Sequence, residues 1–151
     1  MTEPVDRRAG RVLLVDARDR LLLFRGGDPL APEAGTWWFT PGGGVDDGES
    51  YAEAAARELR EETGLAVPVG ALGRPVHRRS AVFHWNGGHY RQQEEYFLVR
   101  VDAHEVDYSG LSPLETASFV EHRWWARAEL AATRDTVHPE ELSRVLAALG
   151  I

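Results

Sequence analysis

The stretch PGGGVDDGESYAEAAARELREETGL, residues 41–65, joins a glycine-rich entry to a run with the composition of a helix. Ser50 is suited to cap the amino end of that helix, and Gly64 follows its last residue. We therefore predict a helix over Ser50–Thr63. Small and apolar residues recur there at helical spacing and form one face that can pack closely on a sheet: Ala52, Ala55, Ala56, Leu59 and Thr63.

Strand-like segments lie on both sides of this helix. Three precede it: Arg11–Asp16, Arg20–Arg25 and Trp37–Thr40. Four follow it: Val67–Leu72, Val76–Trp85, Tyr90–Val101 and Phe119–Trp125. The sequence Asn86-Gly87-Gly88 predicts a hairpin. Three further segments complete the chain, a loop over Asp107–Ser118 and helical turns over Ala128–Leu130 and Pro139–Leu149. This order predicts an α/β or α+β fold, with a mixed β-sheet sandwiched between helices.

Composition indicates a soluble protein of one domain, residues 1–151, with 43% apolar and 27% charged residues. The amino terminus lacks a hydrophobic signal core and the chain has no cysteine, so we expect a cytoplasmic protein. No apolar run approaches the roughly 18 residues that span a bilayer. The net charge of −7 argues against a nucleic-acid duplex as partner. All 17 basic residues are arginine, which excludes a catalytic lysine.

Three glutamates, Glu58, Glu61 and Glu62, lie at positions i, i+3 and i+4 of the predicted helix. Like charges at this spacing destabilise a helix by roughly 0.2–0.5 kcal/mol per pair, and the carboxyl end of a helix disfavours anions. A divalent cation would remove both penalties, and carboxylate oxygens suit Mg²⁺ or Mn²⁺. The alternative is a solvated acidic face. The nearby Glu49, Arg57 and glycines favour the metal site.

These residues resemble the box of the Nudix hydrolase family, G-x5-E-x7-R-E-U-x-E-E-x-G-U, where U is a bulky aliphatic residue. Every fixed position is filled at the required spacing by Gly43, Glu49, Arg57, Glu58, Leu59, Glu61, Glu62, Gly64 and Leu65. The surroundings are also similar to the family, with W-x-x-P-G-G at residues 38–43 and R-W-W at residues 123–125. The resemblance, MutT-like in type, implies a Nudix fold with its box at residues 43–65.

The resemblance also implies roles for the residues of the box. Glu58, Glu61 and Glu62 would bind divalent metal, Mg²⁺ or Mn²⁺, with the carbonyl of Gly42 as a further ligand. The structural positions would be Gly43, Glu49, Arg57 and Gly64, with Glu49 and Arg57 forming an ion pair between loop and helix.

The implied reaction is hydrolysis of a diphosphate linked to a second moiety, usually a nucleoside. A carboxylate would accept the proton of the attacking water. The box leaves its identity open. The candidates are Glu61 and Glu62 inside the box, and Glu94, Glu95, Glu115 and Glu121 outside it. Outside the box we favour Glu94 and Glu115, as the base or as an extra metal ligand.

Substrate contacts are expected outside the box. Trp37 and Trp85 are candidates for stacking on a base, and Arg78, Arg79 and Arg91 for binding phosphate. The alternative for each tryptophan is a core position, and for each arginine a surface position. The substrate stays open among nucleoside di- and triphosphates, oxidised nucleotides, nucleotide sugars and RNA 5′ ends, and the acidic charge makes long RNA least favoured. A homodimer stays open. The competing hypothesis is a Nudix-fold module that binds or senses a nucleotide without turnover.

Overall fold

The computed structural model describes residues 3–151, which form eight strands and four helices. The strands are β1 (Val5–Val15), β2 (Arg20–Gly27), β3 (Thr36–Phe39), β4 (Gly42–Gly44), β5 (His77–Trp85), β6 (Gly88–Arg100), β7 (Phe119–Ala126) and β8 (Val137–His138). The helices are α1 (Tyr51–Thr63), α2 (Pro113–Ser118), α3 (Arg127–Ala132) and α4 (Leu142–Ala148). None of the helices within residues 3–151 has the length and hydropathy needed to cross a membrane.

The strands form one mixed sheet in the order β5-β6-β1-β2-β3-β8, with β4 paired to β1 and β7 paired to β2. The central pair, β1 and β6, is parallel along the whole of β1. The short pair β3 and β8 is also parallel, and the other pairs are antiparallel. The sheet therefore brings the amino-terminal strand beside a strand that begins more than 80 residues later.

Alternate residues of the central strands point to opposite faces of the sheet. On β1, Val12 and Leu14 face α1, whereas Leu13 and Val15 face α3 and α4. The α1 face is filled by Val12, Leu14, Leu22, Phe24, Ala55, Ala56, Leu59, Leu72, Phe97 and Val99. The opposite face is filled by Leu13, Val15, Leu21, Leu23, Trp38, Tyr96, Trp125, Leu130, Leu142, Leu146 and Ile151. The predicted α+β fold, a mixed sheet between helices, is confirmed.

Helix α1 begins and ends where the sequence indicates. The Ser50 hydroxyl accepts a hydrogen bond from the Glu53 amide, and the Glu53 carboxylate accepts one from the Ser50 amide. Gly64 ends the helix with φ of +79°, a conformation that side chains disfavour. Between these ends Leu59 is fully buried against the sheet, a contact that contributes about 2 kcal/mol.

Two segments differ from the sequence prediction. The strand predicted over Val67–Leu72 is wrong: it contains a short 3₁₀ turn, Val69–Leu72, which follows Pro68 and ends at Gly73. The loop predicted over Asp107–Ser118 is wrong in its second half, which forms α2. There Ser112 and Glu115 form a reciprocal capping pair, and the proline at position 113 suits the first turn of a helix.

Other strands are longer or shorter than their apolar pattern suggests. β1 begins at Val5, because pairing with β6 extends through the polar residues Asp6 to Arg8. The all-glycine strand β4 carries no side-chain pattern and was not predicted, and neither was the two-residue β8. The hairpin predicted at Asn86-Gly87 is confirmed: both residues have positive φ, as the tight turn between β5 and β6 requires.

Candidate active site

Three carboxylates converge beside the glycine strand β4. Glu58 and Glu62 come from α1 and Glu115 comes from α2, and one oxygen of each lies within 4.8 Å of the others. We call these residues the carboxylate triad. Glu115 is held in place by its own helix, because its Oε1 accepts a hydrogen bond of 3.0 Å from the amide of Ser112. Two segments separated by about 50 residues thus supply one cluster of oxygen ligands.

The triad concentrates negative charge where water is scarce. Glu62 is 2% exposed, and burial together with the nearby Glu58 raises its pKa well above the ordinary value. Burial also raises the pKa of Glu58 to about 6, although Arg57 acts in the opposite direction. A divalent cation would replace the missing positive charge, and three carboxylate oxygens are suitable ligands for Mg²⁺ or Mn²⁺. The donor set therefore fits the cofactor that the sequence predicts.

The glycines before the helix allow the backbone to approach these carboxylates. The amide of Gly42 donates a 2.7 Å hydrogen bond to Glu62 Oε1, which fixes the orientation of that carboxylate. A Cβ on Gly43 would lie 2.6 Å from Glu58 Oε1, so a larger residue there would displace Glu58. The carbonyl of Gly42, the expected further ligand, accepts a 3.1 Å hydrogen bond from Arg11.

Arg57 joins the glycine loop to the helix. Its guanidinium contacts both carboxylate oxygens of Glu49, with Nε 2.8 Å from Oε2 and Nη2 3.0 Å from Oε1, and Nη2 also donates to the carbonyl of Gly44. Its Nη1 lies 3.0 Å from Glu58 Oε1 and 3.4 Å from Glu61 Oε2. The ion pair expected between Glu49 and Arg57 is therefore present, and it connects loop, helix and triad.

Glu61 lies next to the triad without belonging to it. Its carboxylate is 34% exposed and has one long contact, to Arg57. Its charge contributes to the raised pKa of Glu58, so the two carboxylates are near each other. The sequence assigns Glu61 to the metal. The structure instead assembles Glu115 with Glu58 and Glu62. Glu61 lies at the edge of this triad, with a single long contact to Arg57.

Glu94, which the sequence proposed as a base or ligand, lies in a separate group on β6. Four side chains surround it, and we call this group the Glu94 cluster. Its contacts to Glu94 are Arg79 Nη1 at 2.9 Å, Gln92 Nε2 at 2.7 Å, the Tyr96 hydroxyl at 2.8 Å and Arg11 Nε at 3.6 Å. Burial would raise the pKa of Glu94, but Arg11 and Arg79 outweigh burial and lower it. A carboxylate held in this way is a poor proton acceptor.

The arginines proposed for phosphate already have carboxylate partners. Arg78 pairs with Glu95 at 2.9 Å, Arg79 belongs to the Glu94 cluster, and Arg91 lies 3.4 Å from Asp6. The other glutamate considered outside the box, Glu121, pairs with Arg25 at 2.9 Å.

The two proposed tryptophans lie on different elements. Trp37 is half-buried on β3, with its ring edge-on to His138 at 6.4 Å. Trp85 ends β5, at the turn of the hairpin, six residues beyond Arg79 or roughly 20 Å along the strand. Their roles in stacking stay predictions.

Sequence reasoning missed Arg11. This residue donates from Nη1 to the carbonyls of Thr40 and Gly42, and its Nε faces Glu94. It therefore connects the glycine strand to the Glu94 cluster. The available signal was an arginine directly before the four apolar residues VLLV, because a charged residue beside a buried run needs a partner.

Comparisons with known proteins identify the same family that the residues of the box resemble. The family model described as NUDIX domain matches residues 5–147. The curated RNA pyrophosphohydrolases of Novosphingobium aromaticivorans and Afipia carboxidovorans are 34% and 35% identical over 121 and 106 residues. These matches cover 75% and 66% of this chain, and 73% and 63% of the two relatives, so the chain spans less than two thirds of the second. A MutT protein from Methanosarcina mazei Go1 has the same fold, with a TM-score of 0.68 at 20% identity over 99% of this chain and 96% of that one.

Proposed function

Since the chain belongs to the Nudix hydrolase family, we propose that it hydrolyses the diphosphate linkage of a nucleotide-derived substrate with the help of a divalent cation. The observation that carries this proposal is the carboxylate triad, whose buried charge has too few positive partners. The intact box supports it as well, since all its fixed positions are filled. The curated relatives are pyrophosphohydrolases by name.

Each residue of the site has a role in this proposal. Glu58, Glu62 and Glu115 hold the cation, Mg²⁺ or Mn²⁺, and the Gly42 amide keeps the Glu62 carboxylate aimed at it. The bound cation would neutralise part of the diphosphate charge and increase the acidity of a nearby water. Arg57 positions Glu58 through a 3.0 Å contact.

Glu61 is the proposed proton acceptor. Of the carboxylates considered from the sequence it is the one beside the triad that neither belongs to it nor has a short ion pair. It is also accessible to water at 34% exposure. Glu94, favoured from the sequence, is replaced in this role because its two oxygens already accept hydrogen bonds from three side chains.

A hydrolysis screen over nucleoside di- and triphosphates, oxidised nucleotides and nucleotide sugars, with Mg²⁺ or Mn²⁺ and with the products separated by chromatography, tests these roles. Glu61→Gln should lower kcat by about 100-fold or more with little change in the Mg²⁺ concentration needed for half-maximal rate. Glu115→Gln should raise that Mg²⁺ concentration. The matched control is Glu121→Gln, the same substitution at a 48% exposed residue paired with Arg25. Undiminished kcat in Glu61→Gln would refute its role.

The names of the relatives favour one substrate class, the 5′ end of an RNA. Both curated proteins are named RNA pyrophosphohydrolases, so the 5′-triphosphate end of an RNA is a candidate substrate. The net charge of −7 opposes long contacts with an RNA backbone. A short 5′-triphosphorylated oligonucleotide, compared with the matching nucleoside triphosphate, separates the two. A kcat/KM at least tenfold higher for the oligonucleotide would select RNA, and the reverse would select the mononucleotide.

A nucleotide-binding module without turnover is the alternative outcome of the same screen. Tight nucleotide binding by calorimetry, combined with no hydrolysis of any substrate, would establish it.

A further inference from the structure

Arg7 is a half-buried cation with no carboxylate partner. It lies on β1, on the same face of the sheet as Arg11, because alternate residues share a face. Its guanidinium lies 5.5 Å from the ring centre of Tyr90, and within residues 3–151 no carboxylate oxygen comes within salt-bridge distance of it. Burial, together with the neighbouring Arg11, lowers the pKa of Arg7, so its surroundings do not compensate its charge.

Three arginines on this face of the sheet, Arg7, Arg11 and Arg79, lie near Glu94, and only Arg11 and Arg79 are within salt-bridge distance of its carboxylate. Arg11 and Arg79 both pair with one carboxylate, Glu94, which leaves no share of that charge for Arg7 at contact distance. Three arginines beside one carboxylate are notable in a chain whose net charge is −7. A guanidinium that is partly removed from water and lacks a counter-ion is suited to an anion from outside the protein, above all a phosphate, which it can bind with two parallel hydrogen bonds.

Arg7 lies close to the carboxylate triad, because both contact the glycine strand β4. A Cβ on Gly43 would lie 2.6 Å from Glu58, whereas a Cβ on Gly44 would lie 2.7 Å from Arg7 Nη2. Successive residues of a strand point to opposite sides, so Glu58 and Arg7 lie on the two sides of the same three-residue strand. The Arg7 side chain is thus separated from the candidate cation site only by the width of one glycine backbone.

We propose that Arg7 binds a phosphate oxygen of the substrate, beside the phosphate that the cation contacts, and so determines affinity for the diphosphate group. This inference rests on the proposed function. It assigns to Arg7 a binding role that lies outside the box.

Kinetics of Arg7→Gln and Arg7→Lys test the proposal. Arg7→Gln should raise KM for the substrate by about 10-fold or more, because a hydrogen bond to a charged group is lost. Arg7→Lys should give a smaller rise, since it keeps the charge but not the two-pronged donor. The matched control is Arg8→Gln, which removes the same charge one residue away, at an exposed side chain that faces Tyr51. An unchanged KM in Arg7→Gln, in a protein with wild-type Tm, would overturn the inference.

Gly44→Ala provides an independent check, because it leaves the Arg7 guanidinium itself unchanged. The added Cβ would lie 2.7 Å from Arg7 Nη2, at the far end of a flexible side chain, so Arg7 should move and the fold should persist. KM should rise in Gly44→Ala, and it should rise no further when the substitution is added to Arg7→Gln. Fully additive effects would show that Arg7 and Gly44 act separately and would overturn the placement.

Failure of the inference can be distinguished from failure of the proposed function. Calorimetry with Mg²⁺ and inorganic pyrophosphate as the probe requires no turnover. Wild-type protein should bind pyrophosphate about 10-fold more tightly than Arg7→Gln, whereas Arg8→Gln should match the wild type. Equal affinities in all three proteins would overturn the role of Arg7. Absence of hydrolysis with this difference intact would overturn only the proposed reaction.

Discussion

The carboxylate triad and the Glu94 cluster both bury negative charge, but they differ in what surrounds it. Glu62 is 2% exposed and Glu94 is 4% exposed, so burial does not distinguish them. Glu94 has two arginines beside it, and its pKa is lowered. Glu62 has one backbone amide and two further carboxylates, and its pKa is raised. Charge left without a partner therefore indicates the functional site, and paired charge indicates a structural one.

The largest expected effect on stability concerns the Glu94 cluster. Among residues 3–151, Glu94→Gln removes the only carboxylate that pairs with Arg11 and Arg79, which are 19% and 22% exposed. We expect the free energy of unfolding to fall by about 3 kcal/mol, because two poorly solvated cations lose their counter-ion. Chemical denaturation measures this change.

The neighbouring residue gives the control for that substitution. Glu95→Gln changes the next position, where the partner Arg78 is 72% exposed, and should alter stability by less than about 0.5 kcal/mol. If both variants lose the same amount, the distinction between paired buried charge and surface charge at this strand is wrong.

In the triad the same substitution should have the opposite effect on stability. Glu62→Gln removes a carboxylate from a group of like charges, while Oε1 can still accept the Gly42 amide. In the presence of EDTA the Tm should therefore rise, whereas the rate of substrate hydrolysis should fall by roughly 100-fold, the scale of several kcal/mol of charge stabilisation. Thermal denaturation in EDTA and the hydrolysis assay in Mg²⁺ are the two measurements. A lower Tm in EDTA would contradict the like-charge account.

The two regions should also respond to pH in opposite directions. The pKa of Glu58 in the folded protein, about 6, exceeds its unfolded value of 4.5. Its contribution to stability is therefore complete below 4.5 and is lost as the pH rises through 6, by about 1–2 kcal/mol in the metal-free protein. The pKa of Glu94 is lowered, so its contribution is present above the unfolded pKa and is lost as the pH falls.

Denaturation in EDTA from pH 3 to 7.5 compares these trends, because the Glu94 contribution is lost only below its unfolded pKa of 4.5. The stability difference between Glu62→Gln and wild type should increase with pH across this range, because the variant lacks one member of the repelling group. The difference between Glu94→Gln and wild type should instead decrease toward acid pH. A difference independent of pH in both variants would contradict the two assignments.

Apart from the control at Glu95, the smallest expected change in stability comes from Arg79→Lys, which tests whether donor geometry or charge stabilises the Glu94 cluster. Arg79→Lys preserves the charge but replaces the planar donor that lies 2.9 Å from Glu94 Oε1. We expect a loss of about 1 kcal/mol in the free energy of unfolding. A loss as large as that of Glu94→Gln would mean that geometry, more than charge, stabilises the cluster.

The parts of the site that the sequence predicts well are those that one helix determines. Glu58 and Glu62 lie four residues apart, and the helical repeat alone places them on one side. The Glu49–Arg57 pair also depends on local geometry, since the loop and helix adjoin. The apolar run Val12–Val15 predicted a strand for the same reason, and the structure assigns its alternate residues to the two faces of the sheet.

The parts that required the structure depend on contacts between distant segments. Glu115 was a candidate ligand from the sequence, but its contact with Glu58 and Glu62 depends on α2, more than 50 residues after Glu62. This helix was missed because the capping pattern S-P-L-E is short. Arg11 meets Glu94 only because β1 and β6 are parallel and in register, which periodicity within either strand cannot show. The residue pattern of Val67–Leu72 favoured a strand, but no strand in the described part of the chain pairs with it.

The parallel pairing of β1 with β6 has a consequence for the order in which the molecule can assemble. On the ribosome, β1 emerges about 85 residues before the end of β6, a delay of several seconds or more at the usual rate of synthesis of roughly 5–20 residues per second. During this interval the apolar half of β1 lacks its partner β6, and α1 has no complete sheet to pack against. Nascent chains should therefore remain sensitive to proteases until residues 88–100 have been made. The Glu94 cluster can form at that point, whereas the carboxylate triad forms only after Glu115 has also been made.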